Sequence, residues 1–421
     1  MTSIENIPHE ILIDILSYLP CTDLASACRV SQYLRVVSQP VLYKSPVVNS
    51  SNRSIPPSIQ ILLCKLLSPS GQTLIQTVRS LELKWDNSDT GLTAQHQSDI
   101  SLLNAAALRF GLHDPPTQHD AKMILLLHSL PRLQALMLSP PPNHDPFTDL
   151  MGAAPPTQSL PSAFHNLHHF KCSSPLGSGV RPTSLLVLLN LPNIRSIDVH
   201  IMAYFTLDTT KAIISAGTSL VRKLRFANTD LPASFLDPVL KIPAVLTHFS
   251  YFPWSADIHF TIAPVLRALE PHRSTLQYLQ LDLDGLGRSG HVTSPTVSLR
   301  DWPVLHTVSA SLVGLLGQRK GAFGLADVLP EGLRELEILE DVYWSGKQGV
   351  DEVVEMLRRR DEMAVLERVV LGIGERTGLR SVELLRCLGE SVGVLVVDNR
   401  RVRMIPRVRT KVTSCWRGRV G

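Results

Sequence analysis

What this sequence lacks narrows it first. None of its apolar runs reaches the eighteen or so residues a membrane-spanning helix needs: MILLLHSL and LLVLLNL are both too short. The first residues, MTSIENIPHE, carry acids and no basic stretch, which argues against a secretory leader. Six cysteines (Cys21, Cys28, Cys64, Cys172, Cys387, Cys415) are scattered without a C-x-x-C pair, the usage of free thiols in a reducing compartment. There is no G-x-S-x-G and no Walker loop, which excludes the common hydrolase elbow and the P-loop nucleotide site. The expectation is a soluble protein of the cytoplasm or nucleus, with no cofactor, metal or catalytic residue.

Charge of one sign is scarce at one end only. The chain has 41 bases and 37 acids for a net +4. After Asp398, however, come Arg400, Arg401, Arg403, Arg407, Arg409, Lys411, Arg417 and Arg419 with no acid, so the remainder holds 33 bases against 37 acids. Such a tail could touch nucleic acid or act as a nuclear address; it could equally be solvated, or a last edge strand. It lacks aromatics at stacking spacing, which makes nucleic acid an unlikely partner on this reading.

Hydrophobic residues make up 44% and charged residues 19%, a globular balance. The length exceeds that of one compact domain unless the chain is a repeat array. The apolar residues cluster early. Ile4 to Leu42 reads as three short helices: one from Pro8 with a stripe of Ile11, Leu12, Ile15, Leu16 and Leu19; a second after Pro20, capped by Thr22 or Asp23; a third opened by Ser31 and closed before Pro40. Three such helices cannot hide all that surface against one another. The stripe either faces a partner or packs under the rest of the chain.

The string resembles the F-box. Ile7-Pro8, Glu10 and Ile11-Leu12 match its opening, Leu19-Pro20 and Asp23-Leu24 its middle, and Val30 its Val-Cys element, while Ser31 and Leu34 replace the family's Cys and Trp; the ending from Ser38 to Tyr43 is similar to fungal members. The resemblance implies docking on the Skp-type adaptor of a cullin-RING (SCF) ubiquitin ligase. It implies a docking face of Ile7, Pro8, Ile11, Leu12, Ile15, Leu19, Leu24, Cys28, Val30 and Leu34.

Beyond a Ser/Pro/Asn-rich linker, Ser45 to Ser58, and a helix from Ile59 to Leu67, a repeat emerges. The pattern apolar-x-x-apolar-x-apolar recurs at Val78-Leu81-Leu83, Leu133-Leu136-Leu138, Leu167-Phe170-Cys172, Ile194-Ile197-Val199, Val221-Leu224-Phe226 and Leu246-Phe249-Tyr251. It goes on at Leu276-Leu279-Leu281, Leu305-Val308-Ala310, Leu333-Leu336-Ile338, Leu366-Val369-Leu371 and Val392-Leu395-Val397. From Leu167 to Leu333 the steps are 27, 27, 25, 30, 29 and 28 residues, close to a leucine-rich repeat's period of about 20–29. Helical segments fall between: Ala121 to Leu130, Ser184 to Leu189, Thr209 to Ala216, Ile262 to Leu269, Glu352 to Arg360 and Val382 to Leu388. The expected fold is therefore α/β: a three-helix unit (1–44), the linker (45–58), an irregular solenoid of short parallel strands plus helices (59–398) and a basic tail (399–421). Asp86 to Pro116, SPPPNHDP and Gly152 to Pro161 read as loops.

This also resembles the leucine-rich-repeat class of F-box proteins, the substrate receptors of such ligases. The family's asparagine beyond each strand is replaced by Asp86, Pro141, Pro175, Met202 and Trp254, so the curvature is expected to be irregular. Residues alternating with the apolar anchors should line the concave sheet face: His169, Lys171, Asp198, His200, Lys223, Arg225, His248, Tyr278, Gln280, Glu335 and Glu337, basic in the middle and acidic later. The expected partner there is a protein to be ubiquitinated. A scaffold with a decayed F-box is the second reading, which Leu34 in the Trp slot leaves open. Gly285 to Gly290 spells G-x-G-x-x-G, but no helix pattern follows to receive a phosphate. His165, His168, His169 and Cys172 are close in sequence yet divided between strand faces, so they do not form a metal site on this reading.

Overall fold

Each of the eleven apolar triplets coincides with a parallel strand, because alternate anchors at a two-residue period bury one side of the chain; the other side is half-buried or exposed in most strands, while Ser250, Ser309 and Val370 are buried there too. The computed structural model describes residues 4–49, 58–84, 97–110, 119–139, 162–173, 180–200, 216–227, 231, 233–253, 262–282, 298–316, 323–339, 346–359, 365–371, 390 and 395–398. Contacts divide the chain into two compact units, Met1–Val292 and Thr293–Gly421.

The first unit opens with helices α1 (His9–Ser17), α2 (Cys21–Val30) and α3 (Gln32–Leu42). Pro8 is the N-cap of α1 and not its first helical residue, and Pro20 caps α2, which leaves Thr22 and Asp23 inside its first turn. Ser31 does open α3: its side chain accepts the Leu34 N–H at 3.1 Å, satisfying a donor the helix start would otherwise orphan. Ser31→Ala should cost about 1 kcal/mol, read as faster amide exchange in the first turn of α3. Helix α3 does not close before Pro40 but runs through it to Leu42. Val41 and Leu42 pack against the three-helix core, and that contact outweighs the one backbone bond proline forfeits in the last turn.

There follow β1 (Val47–Asn49), α4 (Ser58–Leu67), α5 (Gln72–Ile75), β2 (Ser80–Lys84), α6 (Gln97–Arg109), α7 (His119–His128), β3 (Ala135–Ser139), β4 (His169–Cys172), α8 (Pro182–Leu189), β5 (Ser196–Val199), β6 (Lys223–Ala227), α9 (Ala233–Leu240), β7 (His248–Phe252), α10 (Ile262–Leu269) and β8 (Tyr278–Leu281). Strand β1 lies within the stretch read as a linker and pairs with β2 through Val48 opposite Leu83. Helix α6 lies within the stretch read as a loop; its Leu103, Ala106 and Ala107 are buried, an apolar side diluted by polar neighbours in sequence. The expected helices at Thr209 to Ala216 and Val382 to Leu388, the loops SPPPNHDP and Gly152 to Pro161, the asparagine slots, the glycine-rich run and the basic tail lie outside, or almost wholly outside, the described residues.

Strands β1 to β8 pair in sequence order, all parallel, and among the described residues α-helices separate β1 from β2, β2 from β3, β4 from β5, β6 from β7 and β7 from β8, so successive units stack on one another. The register aligns Leu81, Leu136, Phe170, Ile197, Leu224, Phe249 and Leu279 in one buried line, and Leu83, Leu138, Cys172, Val199, Phe226, Tyr251 and Leu281 in a second. No single unit could bury its own line; stacking makes both continuous. One carbonyl per repeat fixes the register by taking two N–H groups from the next. The His168 carbonyl accepts from Arg195 (2.8 Å) and Ser196 (3.0 Å), that of Arg195 from Arg222 (2.8 Å) and Lys223 (3.0 Å), and that of Arg222 from Thr247 (2.9 Å) and His248 (3.0 Å). Asparagines do bridge repeats, but from the residue before the first anchor: Asn166 donates to the Pro131 carbonyl at 2.7 Å and Asn193 to that of His165 at 2.6 Å.

Buried His272 ties three segments together. Its Nε2 is 2.6 Å from the Leu240 carbonyl, and its Nδ1 accepts the Leu246 N–H at 3.4 Å, a pairing only the neutral ring can make. Burial pushes its pKa down, against the smaller upward pull of the Leu240 bond. The unfolded chain therefore binds the proton more readily, so this stability is whole above the free imidazole's pKa of about 6.5 and fades as pH falls below it. The thermal midpoint should drop between about pH 8 and about pH 5.5, and His272→Gln should be less stable at the higher pH yet show a flatter profile.

The second unit comprises β9 (Thr307–Ser311), α11 (Leu312–Leu316), α12 (Leu325–Val328), β10 (Glu335–Leu339), α13 (Gly346–Arg358), β11 (Arg368–Leu371) and β12 (Leu395–Asp398), again parallel and in order. The Asp327 carboxylate accepts the Gly324 N–H at 2.8 Å and pairs with Arg359 at 2.8 Å, and these hold its pKa below the usual range, Arg359 foremost. Among the described residues no helix is long and apolar enough to cross a membrane.

Candidate functional site: an exposed apolar stripe and an open sheet face

The apolar residues of the three-helix unit divide into two sets. Leu12 and Leu16 of α1, Leu24 of α2 and Leu34 and Val37 of α3 form its core, with Ile7, Ala27, Tyr33, Val41 and Leu42 packed around them. Arg35 Nε donates to the Cys28 carbonyl at 3.0 Å, tying the end of α2 to α3, and burial pushes the Cys28 thiol up, away from nucleophilic character. On the other side of α1, Ile11 is 52% exposed and Ile15 50%, one turn apart; Tyr18, 88% exposed, and Leu19 extend the same stripe past the helix end. Val30, 73% exposed, and Val36 add apolar surface on α2 and α3.

The expected docking face is thereby corrected. Pro8, Ile11, Ile15, Leu19 and Val30 are exposed and Ile7 is half-buried, whereas Leu12, Leu24 and Leu34 belong to the unit's own core and Cys28 is buried beside it. A 3.6-residue turn places Leu12 and Leu16 about 100° from Ile11 and Ile15, so a stripe written as one in sequence splits into an inner and an outer edge. Leu34 in the Trp slot consequently alters packing inside the unit and leaves the outer stripe untouched.

Residues 4–49 match the F-box-like family. The N-terminal unit is F-box-like. The match covers the three helices and ends with β1, so it takes in only the first strand of the sheet and none of the later repeats. No curated protein matches the chain. Among solved structures, the yeast complex of Rad7 and Elc1 is similar at 12% identity over 92% of this chain and 90% of that one, with a TM-score of 0.39.

The second feature is the sheet side opposite the buried lines. In the first unit the register sets His169, Ser196, Lys223, His248 and Tyr278 in one row across β4 to β8, and Lys171, Asp198, Arg225, Ser250 and Gln280 in the next. Asp198 stands between two cations, 3.7 Å from Lys171 Nζ and 3.3 Å from Arg225. The Arg225 guanidinium also lies 4.7 Å above the Phe252 ring. His248 and Tyr278 stack at 5.7 Å with 23° between planes; Thr247 bonds His248 Nδ1 at 2.9 Å, and the Tyr278 hydroxyl donates to Gln280 at 3.0 Å. Burial first holds both His169 and His248 below the free imidazole value; His168 and then Lys223 add to this at His169, and Lys223 at His248. His200, just past β5, is lowered chiefly by burial, with Asp198 opposing.

Glu335 and Glu337 belong to the second unit: Glu335 pairs with Arg368, and Glu337 accepts from the Ser309 hydroxyl at 2.7 Å. The acidic end of the expected face is thus partly neutralised by its own neighbours. Sequence reasoning missed Phe252 and Arg368, although Phe252 follows His248 and Ser250 at the two-residue period that would have found it. Among the described residues no group of three or more possible metal ligands occurs; His165 and His169 are exposed while Cys172 is buried.

Proposed function

We propose that this protein is a substrate-recognition subunit of a cullin-RING ubiquitin ligase of the SCF kind, plugging its F-box-like helices into a Skp-type adaptor and capturing a target protein on its leucine-rich-repeat-like sheet. The observation that carries the reading is the outer stripe of Ile11, Ile15, Tyr18 and Leu19 on a unit whose sequence matches the F-box-like family. Fully burying an exposed aliphatic side chain is worth about 1.5–3 kcal/mol, and with Ile11 and Ile15 still about half exposed a partner gains roughly half of that from each, before the cost of association. The protein then performs no bond chemistry. It accelerates ubiquitin transfer by holding the target close to a charged carrier, which replaces a bimolecular encounter by an intramolecular one. Its place of work on this reading is the cytoplasm or nucleus.

Co-purification of the full chain with a Skp-type adaptor and a cullin tests the reading. Recovery of both supports it, and recovery of neither leaves the chain an interaction scaffold. Identifying the target calls for affinity capture with and without proteasome inhibition, the ligase substrate being the protein whose recovery rises on inhibition.

A further inference from the structure

The three adjacent strands β4, β5 and β6 concentrate positive charge far beyond the average of the chain. Counting the residue before each strand, they carry Lys171, Arg195, Arg222, Lys223 and Arg225 against the single carboxylate Asp198. Asp198 occupies the middle of its row, shared between Lys171 on one side and Arg225 on the other. The parallel row repeats the geometry with the acid missing. Ser196 sits in the middle, flanked by His169 and Lys223, and among the described residues Lys223 has no ion-pair partner. The strand spacing of about 4.8 Å puts His169 and Lys223 about 10 Å apart, the span across which Asp198 serves its own two cations in the next row.

We propose that β4 to β6 bind an extended, carboxylate-rich peptide segment, one aspartate or glutamate of which seats above Ser196 between His169 and Lys223. This deepens the capture reading above and rests on it. The molecule supplies a partial template for the contact: a carboxylate bridging two cations on the neighbouring strands is present one row away, and in the new row Lys223 supplies the charge while the His169 ring supplies an N–H donor. Arg195 and Arg222, exposed one residue before β5 and β6, add positive charge at the end of the lane. The patch is three strands wide, which suits a few residues of extended chain. The stacked His248 and Tyr278 and the Arg225–Phe252 pair bound it with flat surface on the β7 side. Contacts at such exposed charges govern association rate and selectivity, so the binding should be steep in salt.

The test is a titration of the full chain with a fluorescein-labelled peptide of alternating glutamate and serine, followed by anisotropy, beside the same peptide with glutamine for glutamate. The glutamate peptide should bind at least tenfold more tightly, and weaken several-fold as salt rises. Lys223→Glu with Arg225→Glu should weaken it at least tenfold, with the thermal midpoint checked because both residues are exposed; Lys223→Gln with Arg225→Gln serves if the reversal disturbs folding. Asp198→Asn should tighten binding several-fold, since it frees Lys171 and Arg225 from their internal acid, an outcome that simple loss of structure would not give. Equal affinity for the two peptides, or no response to the Lys223 and Arg225 changes, overturns the proposal. So does tighter binding of a single-stranded oligonucleotide of equal charge that the same changes abolish. Adaptor capture measured on the same preparations separates the two readings: adaptor retained without peptide binding defeats this inference alone, and peptide bound without adaptor defeats the ligase assignment.

Discussion

Ile11→Asp combined with Ile15→Asp is expected to abolish capture of a Skp-type adaptor while leaving the thermal midpoint of the chain nearly unchanged. Both side chains are about half exposed, so two carboxylates there meet water in the free protein and cost little folding stability. In a complex the same groups would be driven into an apolar contact with no partner charge, and burying an unpaired carboxylate is among the most expensive changes available to an interface. The control lies one position along the helix. Leu12 is 2% exposed and Leu16 4%, so Leu12→Asp should also lose the adaptor, but by unfolding the three-helix unit, visible as lost amide protection across α1 to α3. Adaptor capture that survives the outer pair would sink the ligase assignment whatever the inner change does.

That contrast shows where sequence reasoning reached and where it stopped. The spacing of Ile11, Leu12, Ile15, Leu16 and Leu19 is legible as a helix with more apolar surface than three short helices can absorb. It does not say which edge turns inward, because that depends on where α2 and α3 cross α1. Strand anchors were easier. A two-residue period allows only two faces, so Leu81, Leu136, Phe170 and their successors could be assigned inward without knowing the neighbours. What escaped were elements whose burial is created by stacking: β1, only three residues long and held by β2, and α6, whose apolar side of Leu103, Ala106 and Ala107 is embedded in a stretch otherwise rich in Ser, Asp, Gln and Gly. The pairing of Glu335 with Arg368 escaped for a related reason. The strand alternation puts both on one face, but only the register makes them neighbours across it.

The largest effect on the array itself should come from Phe249→Ala. Phe249 is fully buried in the first anchor line, next to its last member in this unit, opposite Leu224 of β6 and Leu279 of β8, and its ring meets that of Phe226 edge to face at 6.1 Å and 78°. Truncating a buried phenylalanine costs about 3–5 kcal/mol in lost transfer energy and residual cavity, a large share of a whole domain's stability of about 5–15 kcal/mol. The architecture dictates how that loss is distributed. In a stack whose stability is a sum of repeat terms and nearest-neighbour interfaces, a hole at β7 weakens the interfaces on both of its sides and leaves β2 to β4 with all of theirs. Unfolding should therefore lose its single transition: amides of β7 and β8 and their flanking helices exchange early, while those of β2 to β4 remain protected. Val48→Ala, in the edge strand β1, removes packing on one side only and should lower protection there without dividing the transition. A Phe249→Ala protein that still unfolds in one cooperative step would mean that the repeats of this unit are coupled well beyond their immediate neighbours, which the register of local anchors gives no physical means to achieve.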